Sequence, residues 1–320
     1  MSSAESELAS MLSVFDESVY QRLQTLNPPI LRILWLSHVL GFLTFVHHRA
    51  HELISDLDMP QQERRRLSSW YLDDSIDLLR LCDVIRAEAE NLRMRCLVLS
   101  TAANLVRPRG GVSEDQLRRV KDHLSGVDPE KSFYPRQVSP RRGKMEEALD
   151  GLRLNLEKLM ATTAKASAVK ELLTPAGTAR MILLGVGVWS LMLGGLVASA
   201  FTRSPMPVRP RMAPGEFRWS ETFNTIELDI SRELRRKFGR KDGSEQILAD
   251  MEGLERRTKQ VLNAMGDDKK DNGVAMRSAV RELFRAKERV EAVLQQVKRE
   301  ENALFMKVTD IRNEHLRVIL

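Results

Sequence analysis

The sequence has few of the residues that usually signal catalysis, disulfide bonding or a sheet-rich fold. Its 320 residues include two cysteines, and aromatic residues make up 5% of the chain. Two cysteines are too few for a disulfide scaffold, and they form no closely spaced pair of the kind that binds zinc. The patterns GxxxxGK(S/T), GxGxxG and GxSxG are absent, so neither a phosphate-binding loop nor a serine nucleophile elbow is indicated. We therefore expect no enzymatic activity, no cofactor and no metal site.

The start of the chain also lacks the features of a targeting segment. Transit peptides avoid acidic residues and signal peptides need an apolar run, whereas residues 1–17 carry Glu5, Glu7, Asp16 and Glu17. We therefore expect the chain to begin in the cytosol. The formal net charge of +6 is spread over a long chain, which is weak evidence for nucleic-acid binding. No nucleic-acid partner is predicted.

Good helix formers dominate what is present. Hydrophobic residues make up 42% and charged residues 29% of the chain, and Leu, Ala, Arg, Glu and Met are abundant. This balance predicts an all-α protein, an elongated helical bundle. Proline-rich and glycine-rich breaks divide the sequence into an N-terminal helical bundle (1–106), a basic linker (107–144), a helix leading to an apolar segment (145–176), an apolar helix (177–202), a proline-rich spacer (203–217) and a C-terminal helical region (218–320).

Two helices carry regular apolar stripes. In the first region, the stripe steps by four and three residues through Tyr71, Ser75, Leu78, Cys82, Ile85, Ala89, Leu92, Cys96 and Leu99. Both cysteines lie in it, so we expect them to be buried, small hydrophobic residues and not redox or palmitoylation sites.

The final helix has a longer stripe, which we call the heptad seam. It comprises Met276, Val280, Leu283, Lys287, Val290, Leu294, Val297, Glu301, Leu304, Val308, Ile311, His315 and Val318. Such a seam forms a coiled coil or one long helix of a bundle. We favour an intramolecular bundle, because the neighbouring helices also need a partner. A homo-oligomer formed through the seam is the alternative.

One segment is long and apolar enough to cross a membrane. It begins at Met181 and ends at Thr202 without a charge, and Arg180 and Arg203 flank it. As a helix it is about 33 Å long, close to the thickness of the hydrocarbon core of a bilayer. A single membrane span is the favoured interpretation, a buried central helix of a bundle is the second, and an interfacial helix is the third, because the segment has no polar face.

A small-residue ladder within this segment, Ser190, Gly194 and Ala198, predicts close approach of another helix. A true span has a further consequence. It places residues 1–180 and 203–320 on opposite sides of the membrane, where they cannot share a core.

Basic residues and histidines form two other groups. The densest basic patch lies at the C-terminal end of a predicted helix and comprises Arg232, Arg235, Arg236, Lys237, Arg240 and Lys241. Cations there complement the helix dipole, and contact with anionic lipid is the alternative. The second group is His47, His48 and His51. His47 and His51 have the i, i+4 spacing of a metal pair, but no further ligand completes a set, so we expect a partly exposed polar face.

Several packing motifs carry a resemblance to a known family. They are residues 31–35, residues 53–60, Tyr71 with residues 77–83, and Arg218-Trp219 followed by Phe223. In this order the chain resembles the plant BYPASS-related family from about Phe15 to its C-terminus. The resemblance implies helical proteins that restrain a root-derived mobile signal, with a related branch linked to exocyst binding. It brings no catalytic residues. The apolar segment is more hydrophobic here than the founding members lead us to expect.

These observations predict a non-enzymatic, membrane-associated regulator that acts through helix–helix contacts in growth or root-to-shoot signalling. We expect a single-pass protein of the endomembrane system or plasma membrane, exposed to the cytosol, with membrane lipid and helical proteins as partners. The alternative is a soluble cytosolic adaptor of the exocyst or trafficking type with the apolar helix buried. An enzyme acting on a lipid or carotenoid-derived compound is a third alternative, and it requires a pocket with convergent polar groups.

Overall fold

A computed structural model describes residues 2–26, 32–105, 140–165, 169–202, 217–238, 248–266 and 272–319, together with positions 115, 118, 119 and 122. Within this part of the chain there is no strand, and the all-α prediction is confirmed. The helices are α1 (Ser3–Gln24), α2 (Ile33–Ser55), α3 (Gln61–Leu105), α4 (Pro140–Lys165), α5 (Val169–Leu172), α6 (Pro175–Thr202), α7 (Ser220–Phe238), α8 (Ala249–Gly266) and α9 (Asn272–Ile319). Helix α4 begins at Pro140, inside the predicted linker, because proline is well accommodated in the first turn of a helix.

Local capping residues fix where two of these helices begin. At the start of α1 the Ser2 hydroxyl accepts a hydrogen bond from the Glu5 amide, and the Glu5 carboxylate accepts one from the Ser2 amide, which is a complete capping box. Before α6 the Thr174 hydroxyl accepts from the Gly177 amide at 3.0 Å. Pro175 is the first residue of α6 and needs no amide partner there.

The apolar helix α6 lies at the centre of the bundle. It packs against α1, α2, α3, α4 and α5. By length and composition it could cross a membrane, but its most apolar 18-residue stretch is fully buried inside the protein. Burying such a helix among other helices removes its apolar surface from water as a bilayer would. Helix α6 is thus a buried central helix of a bundle, which was the second interpretation of the sequence, and the predicted membrane span is not confirmed.

Helices α3 and α9 run antiparallel along much of their length. Ser68 contacts His315 near one end, and Arg86 contacts Glu301 further along. All members of the α3 stripe are buried except Leu92, which packs partly buried against the core. The predicted burial of Cys82 and Cys96 is confirmed, and both are free thiols. The heptad seam of α9 is also buried within the chain for most of its length, against α3, α2 and α8.

Residues before and after α6 share one hydrophobic core. The same cluster of buried side chains includes members of α1–α4, α6 and α7–α9. The segment that follows α6 returns to α1, where the backbone amide of Arg218 donates to both carboxylate oxygens of Asp16 at 3.0 and 2.9 Å. The Arg218 guanidinium also lies 2.5 Å from the Glu17 carboxylate. The N-terminal and C-terminal regions are therefore not separate units of packing.

Candidate functional site

A chain of polar side chains crosses the interior of the bundle. It begins at Ser190 of α6, whose hydroxyl lies 3.0 Å from His47 Nε2 on α2. The other ring nitrogen of His47, Nδ1, lies 3.1 Å from the Tyr71 hydroxyl on α3. Both ring nitrogens of a completely buried histidine are thus hydrogen-bonded. Because each partner comes from a different helix, these bonds fix the positions of α2, α3 and α6 relative to one another.

His315 of α9 extends this chain toward the surface. Its ring centre lies 4.7 Å from that of Tyr71, and its Nδ1 lies 2.9 Å from the Ser68 hydroxyl. His51 follows, with a ring centre 6.2 Å from that of His315 and with Nε2 3.0 Å from the exposed Glu314 carboxylate. We call Ser190, His47, Tyr71, His315 and Ser68 the histidine cluster. It joins four helices, α2, α3, α6 and α9.

Burial determines the protonation of this cluster. Loss of solvation lowers the pKa of His47 to about 4. Loss of solvation, together with the positive charges of His51 and Arg64, lowers the pKa of His315 to about 4. Burial also raises the pKa of the Tyr71 hydroxyl well above its ordinary value. Both imidazoles and the phenol are therefore neutral at physiological pH.

The geometry limits the chemistry that the histidines can perform. His47 uses both nitrogens in bonds to protein groups, so it has no nitrogen left for a substrate proton or a metal ion. His47 and His51, the predicted i, i+4 pair, point to different partners. Within the described residues no group of three or more His, Cys, Asp or Glu side chains could hold a metal ion. The expectation of a partly exposed polar face is wrong for His47, which packs against α3 and α6.

Asp74 of α3 is the second unusual polar group. Its side chain is fully buried, and neither carboxylate oxygen has a hydrogen-bond partner. Burial, with smaller contributions from the charges of Asp77 and Asp73, raises the pKa of Asp74 to about 8. The group is therefore held mostly as the neutral acid near pH 7, because an isolated buried carboxylate is strongly unfavourable.

A buried ion pair joins α3 to α9. Arg86 donates to both carboxylate oxygens of Glu301, at 2.8 Å from Nη2 and 3.1 Å from Nε. The Glu301 side chain is 1% exposed and the Arg86 side chain 38% exposed. Burial raises the pKa of Glu301 although the bonds from Arg86 oppose this change. The bidentate geometry fixes the relative position of the two long helices.

The predicted apolar segment and its ladder lie within this interior. The helix that contains Met181 begins earlier, at Pro175, and it ends at Thr202. Ser190 belongs to the histidine cluster. Gly194 lies against α3, since a Cβ atom built on it would be 2.6 Å from Leu81 Cδ2. The side chain of Ala198 falls outside the described side chains.

The predicted basic patch is only partly described. Arg232 pairs with Asp229 at 3.4 Å, and Arg236 pairs with Glu233 at 2.6 Å, both within α7. Arg235 donates to the Ser231 carbonyl. Lys237 lies in α7, but its side chain, like all of Arg240 and Lys241, is outside the described part of the chain. The described arginines thus pair with acceptor groups of their own helix.

The motif around Trp219 forms an aromatic cluster with α6. Trp189 of α6 lies 5.0 Å from Trp219 and 4.9 Å from each of Phe223 and Phe42, measured between ring centres. Phe217 stacks on Trp219 at 4.6 Å. In a chain so poor in aromatic residues, this concentration shows that the Arg218-Trp219 and Phe223 motif docks the segment after α6 onto α6 itself.

Sequence reasoning placed His47 on a partly exposed face and did not single out Asp74. The spacing of Asp74 was a usable signal, because it follows Trp70 by four residues and precedes Asp77 by three and so shares their face of α3. The Trp70 side chain is partly buried and that of Asp77 is buried. For His47 the signal was its position in the apolar face of α2, which also contains Val39, Leu43 and Val46. Both patterns placed a polar group at a buried helical position.

Comparisons with known proteins identify plant relatives at modest identity. UPF0496 protein 4 of Oryza sativa subsp. japonica is 24% identical over 261 residues, which cover 78% of this chain and 53% of that protein. Protein BPS1, chloroplastic, of Arabidopsis thaliana is 23% identical over 240 residues, which cover 73% of this chain and 64% of that protein. The chain thus spans about half the length of the first relative and less than two thirds of the second.

No family model and no solved structure matches the chain. The two relatives nevertheless confirm the resemblance that the packing motifs predicted. They support a BYPASS-related family for this chain, aligned over most of its length.

Proposed function

We propose that this BYPASS-related chain is a non-enzymatic helical adaptor whose helix α6 stays inside the bundle and whose outer surfaces bind protein partners. The burial of α6 by the preceding helices α1–α5, with Trp219 and Phe223 of the following segment packed on Trp189, is the observation that carries the proposal. A helix that spans a bilayer separates the two flanking regions, whereas here both contribute to one core. Removing α6 from that core would expose the apolar faces that now cover it.

The biological role in the proposal comes from the resemblance. A BYPASS-related protein is expected to act in the restraint of a root-derived mobile signal and in shoot and root growth. An exocyst-type protein is the partner class that the related branch suggests. The proposed location is the cytosol, where a bundle with a charged outer surface is soluble.

Exposed apolar side chains on α3 give the partner surface a testable position. Met94 and Leu97, three residues apart on one side of the helix, are 52% and 54% exposed. Side chains at this spacing are neighbours on a helix and can enter the groove of a partner helix. Met306 of α9 is similarly exposed, at 57%, and serves as a control position.

The first experiment tests the state of α6. The full chain is expressed without detergent and analysed by size-exclusion chromatography with light scattering and by circular dichroism, and plant membranes are washed with carbonate at high pH. We expect a monodisperse helical protein that carbonate releases from any membrane fraction. A protein that stays in the pellet and is released by detergent alone contradicts the proposal.

The second experiment tests the partner surface. The double variant Met94→Glu/Leu97→Glu is compared with Met306→Glu for binding to purified exocyst subunits. We expect the double variant to lose binding and the control to retain it, because charge at the centre of an apolar contact is unfavourable. Equal binding by both variants refutes this surface.

A second candidate function is a membrane-inserted regulator in which lipid replaces protein around α6. The length and apolar composition of α6 favour it. Protease protection of tags at both termini in sealed microsomes distinguishes the two candidates. Opposite fates of the two tags support the span, and equal fates support the adaptor.

A further inference from the structure

A cavity of about 220 Å³ adjoins the outer end of the histidine cluster. It lies between the last turn of α2, the first turns of α3 and the last turns of α9, with α6 behind it. Its polar lining side chains, which we call the polar wall, are His51, Ser55, Arg64, Ser68, Glu314 and His315, and its apolar ones include Leu183 and Ile54. The cavity therefore combines polar and apolar groups, as small-molecule sites commonly do.

The hydrogen bond of Ser68 determines which ring nitrogen of His315 can donate a hydrogen bond to a ligand. Hydroxyl groups elsewhere in these helices, such as that of Ser75, donate to a carbonyl of their own helix. The Ser68 hydroxyl instead lies 2.9 Å from His315 Nδ1. We assign the Ser68 hydroxyl as the donor of this pair, which puts the hydrogen of the neutral imidazole on Nε2 and leaves Nε2 as a donor.

Arg64 adds positive charge and further donors to the same wall. One of its N–H groups donates to the Leu57 carbonyl at 2.7 Å, which anchors the guanidinium. A guanidinium has five N–H donors, so this bond leaves others for a ligand. The Glu314 carboxylate also lines the cavity and lies 3.0 Å from His51 Nε2. The polar wall thus offers the donors of His315 and Arg64 and one cation to an acceptor group, beside the carboxylate of Glu314.

The size of the cavity limits the ligand. A cavity of about 150 Å³ lined by apolar side chains holds benzene. A volume of about 220 Å³ accommodates one ring with a small substituent, or a short aliphatic chain with a polar end group.

We propose that this cavity binds a small monocarboxylate, with the carboxylate on His315 Nε2–H and Arg64 and the apolar part against Leu183 and Ile54. The site is independent of the adaptor function proposed above, because it lies away from Met94 and Leu97 on α3. It adds a ligand-dependent contact at the point where α2, α3, α6 and α9 meet.

Calorimetric titration of the full chain with benzoate tests the proposal, with benzyl alcohol and toluene as ring-matched probes that lack the carboxylate. Arg64→Gln removes the cation but keeps a side chain of similar length. Ser55→Trp places an indole at the rim of the cavity, and Ser55 is exposed in the native chain. Ser69→Trp makes the same change at an exposed position of α3 that does not line the cavity. Circular dichroism and the Tm of each variant verify folding.

We expect saturable benzoate binding that is about tenfold tighter than binding of benzyl alcohol or toluene, as expected for one charge-assisted hydrogen bond. Arg64→Gln is expected to weaken benzoate binding about tenfold, Ser55→Trp to abolish it, and Ser69→Trp to leave it unchanged. Absence of benzoate binding to the folded native chain overturns the proposal. Equal affinity for benzoate and toluene overturns the assignment of a carboxylate ligand. If Ser55→Trp fails to fold, Val318→Trp occludes the same cavity, and retained binding in that variant overturns the location.

Discussion

Replacing Asp74 with asparagine is expected to remove a loss of stability that the native chain suffers between pH 6.5 and 8. Asp74 is fully buried with both oxygens unpartnered, and its pKa is raised from 3.8 to about 8. In the unfolded chain the group is ionised above its ordinary pKa, whereas the folded chain keeps it protonated up to about pH 8. Between these values the folded state binds one more proton, so stability falls as pH rises.

The magnitude follows from the width of the pH window. Each pH unit in this regime changes the free energy of unfolding by about 1.4 kcal/mol. Below pH 6.5 the buried His47 and His315 act in the opposite sense, because the pKa of each is lowered from 6.5 to about 4 and the unfolded state then binds the extra protons. Together the two histidines outweigh Asp74 there. From pH 6.5 to 8 the effect of Asp74 remains, and the free energy of unfolding is expected to fall by about 2 kcal/mol.

Urea unfolding followed by circular dichroism, repeated at several pH values, measures this slope. Asp74→Asn is expected to flatten it and to make the protein more stable than the native chain at pH 8. Asp73→Asn makes the same chemical change at an exposed position one residue away and is expected to keep most of the native slope, because the Asp73 charge is the smallest of the three contributions to the pKa of Asp74. A native chain whose stability is constant from pH 6.5 to 8, or an Asp74→Asn variant with the native slope, would refute the reasoning.

Two further substitutions test the packing. Arg86→Met leaves the buried Glu301 carboxylate without its partner, and we expect a loss of about 3 kcal/mol in urea unfolding, whereas Arg93→Met, at an exposed arginine one heptad away, should change little. Gly177→Ala should destabilise by about 1–3 kcal/mol, since its Cβ would lie within van der Waals overlap of the Glu171 carbonyl oxygen. Gly143→Ala, with open space around the glycine, should stabilise by up to about 1 kcal/mol, and a destabilising effect there would contradict the explanation.

The sequence predicted which faces of the helices are buried but not which faces meet. The stripes of α3 and α9 follow from the helical period, because an apolar residue every three or four positions makes one continuous face. Their pairing does not follow from the period, since any two such faces bury similar area. It depends on pairs such as Arg86 with Glu301 and Ser68 with His315, which are far apart in sequence.

The buried polar groups were the least predictable part of the site. A histidine on an amphipathic helix is usually partly exposed, so the prediction for His47 followed the common case. Its burial becomes favourable only because Ser190 and Tyr71 supply both hydrogen bonds. The two partners lie on α6 and α3, and no pattern local to α2 identifies them.

The environment of α6 could not be predicted from its composition, since lipid and the interior of a protein both favour a helix that is apolar on every side. Contacts specific to protein distinguish the two. Ser190 bonds to His47, Trp189 packs on Phe42, and the segment that begins at Phe217 folds back over Trp189 and is held by Asp16 of α1. Moving α6 into a bilayer breaks all of these contacts and exposes the apolar faces of α1–α4 to water. Insertion of α6 and the folded bundle are therefore mutually exclusive states of this chain, and a membrane-inserted form requires the bundle to open.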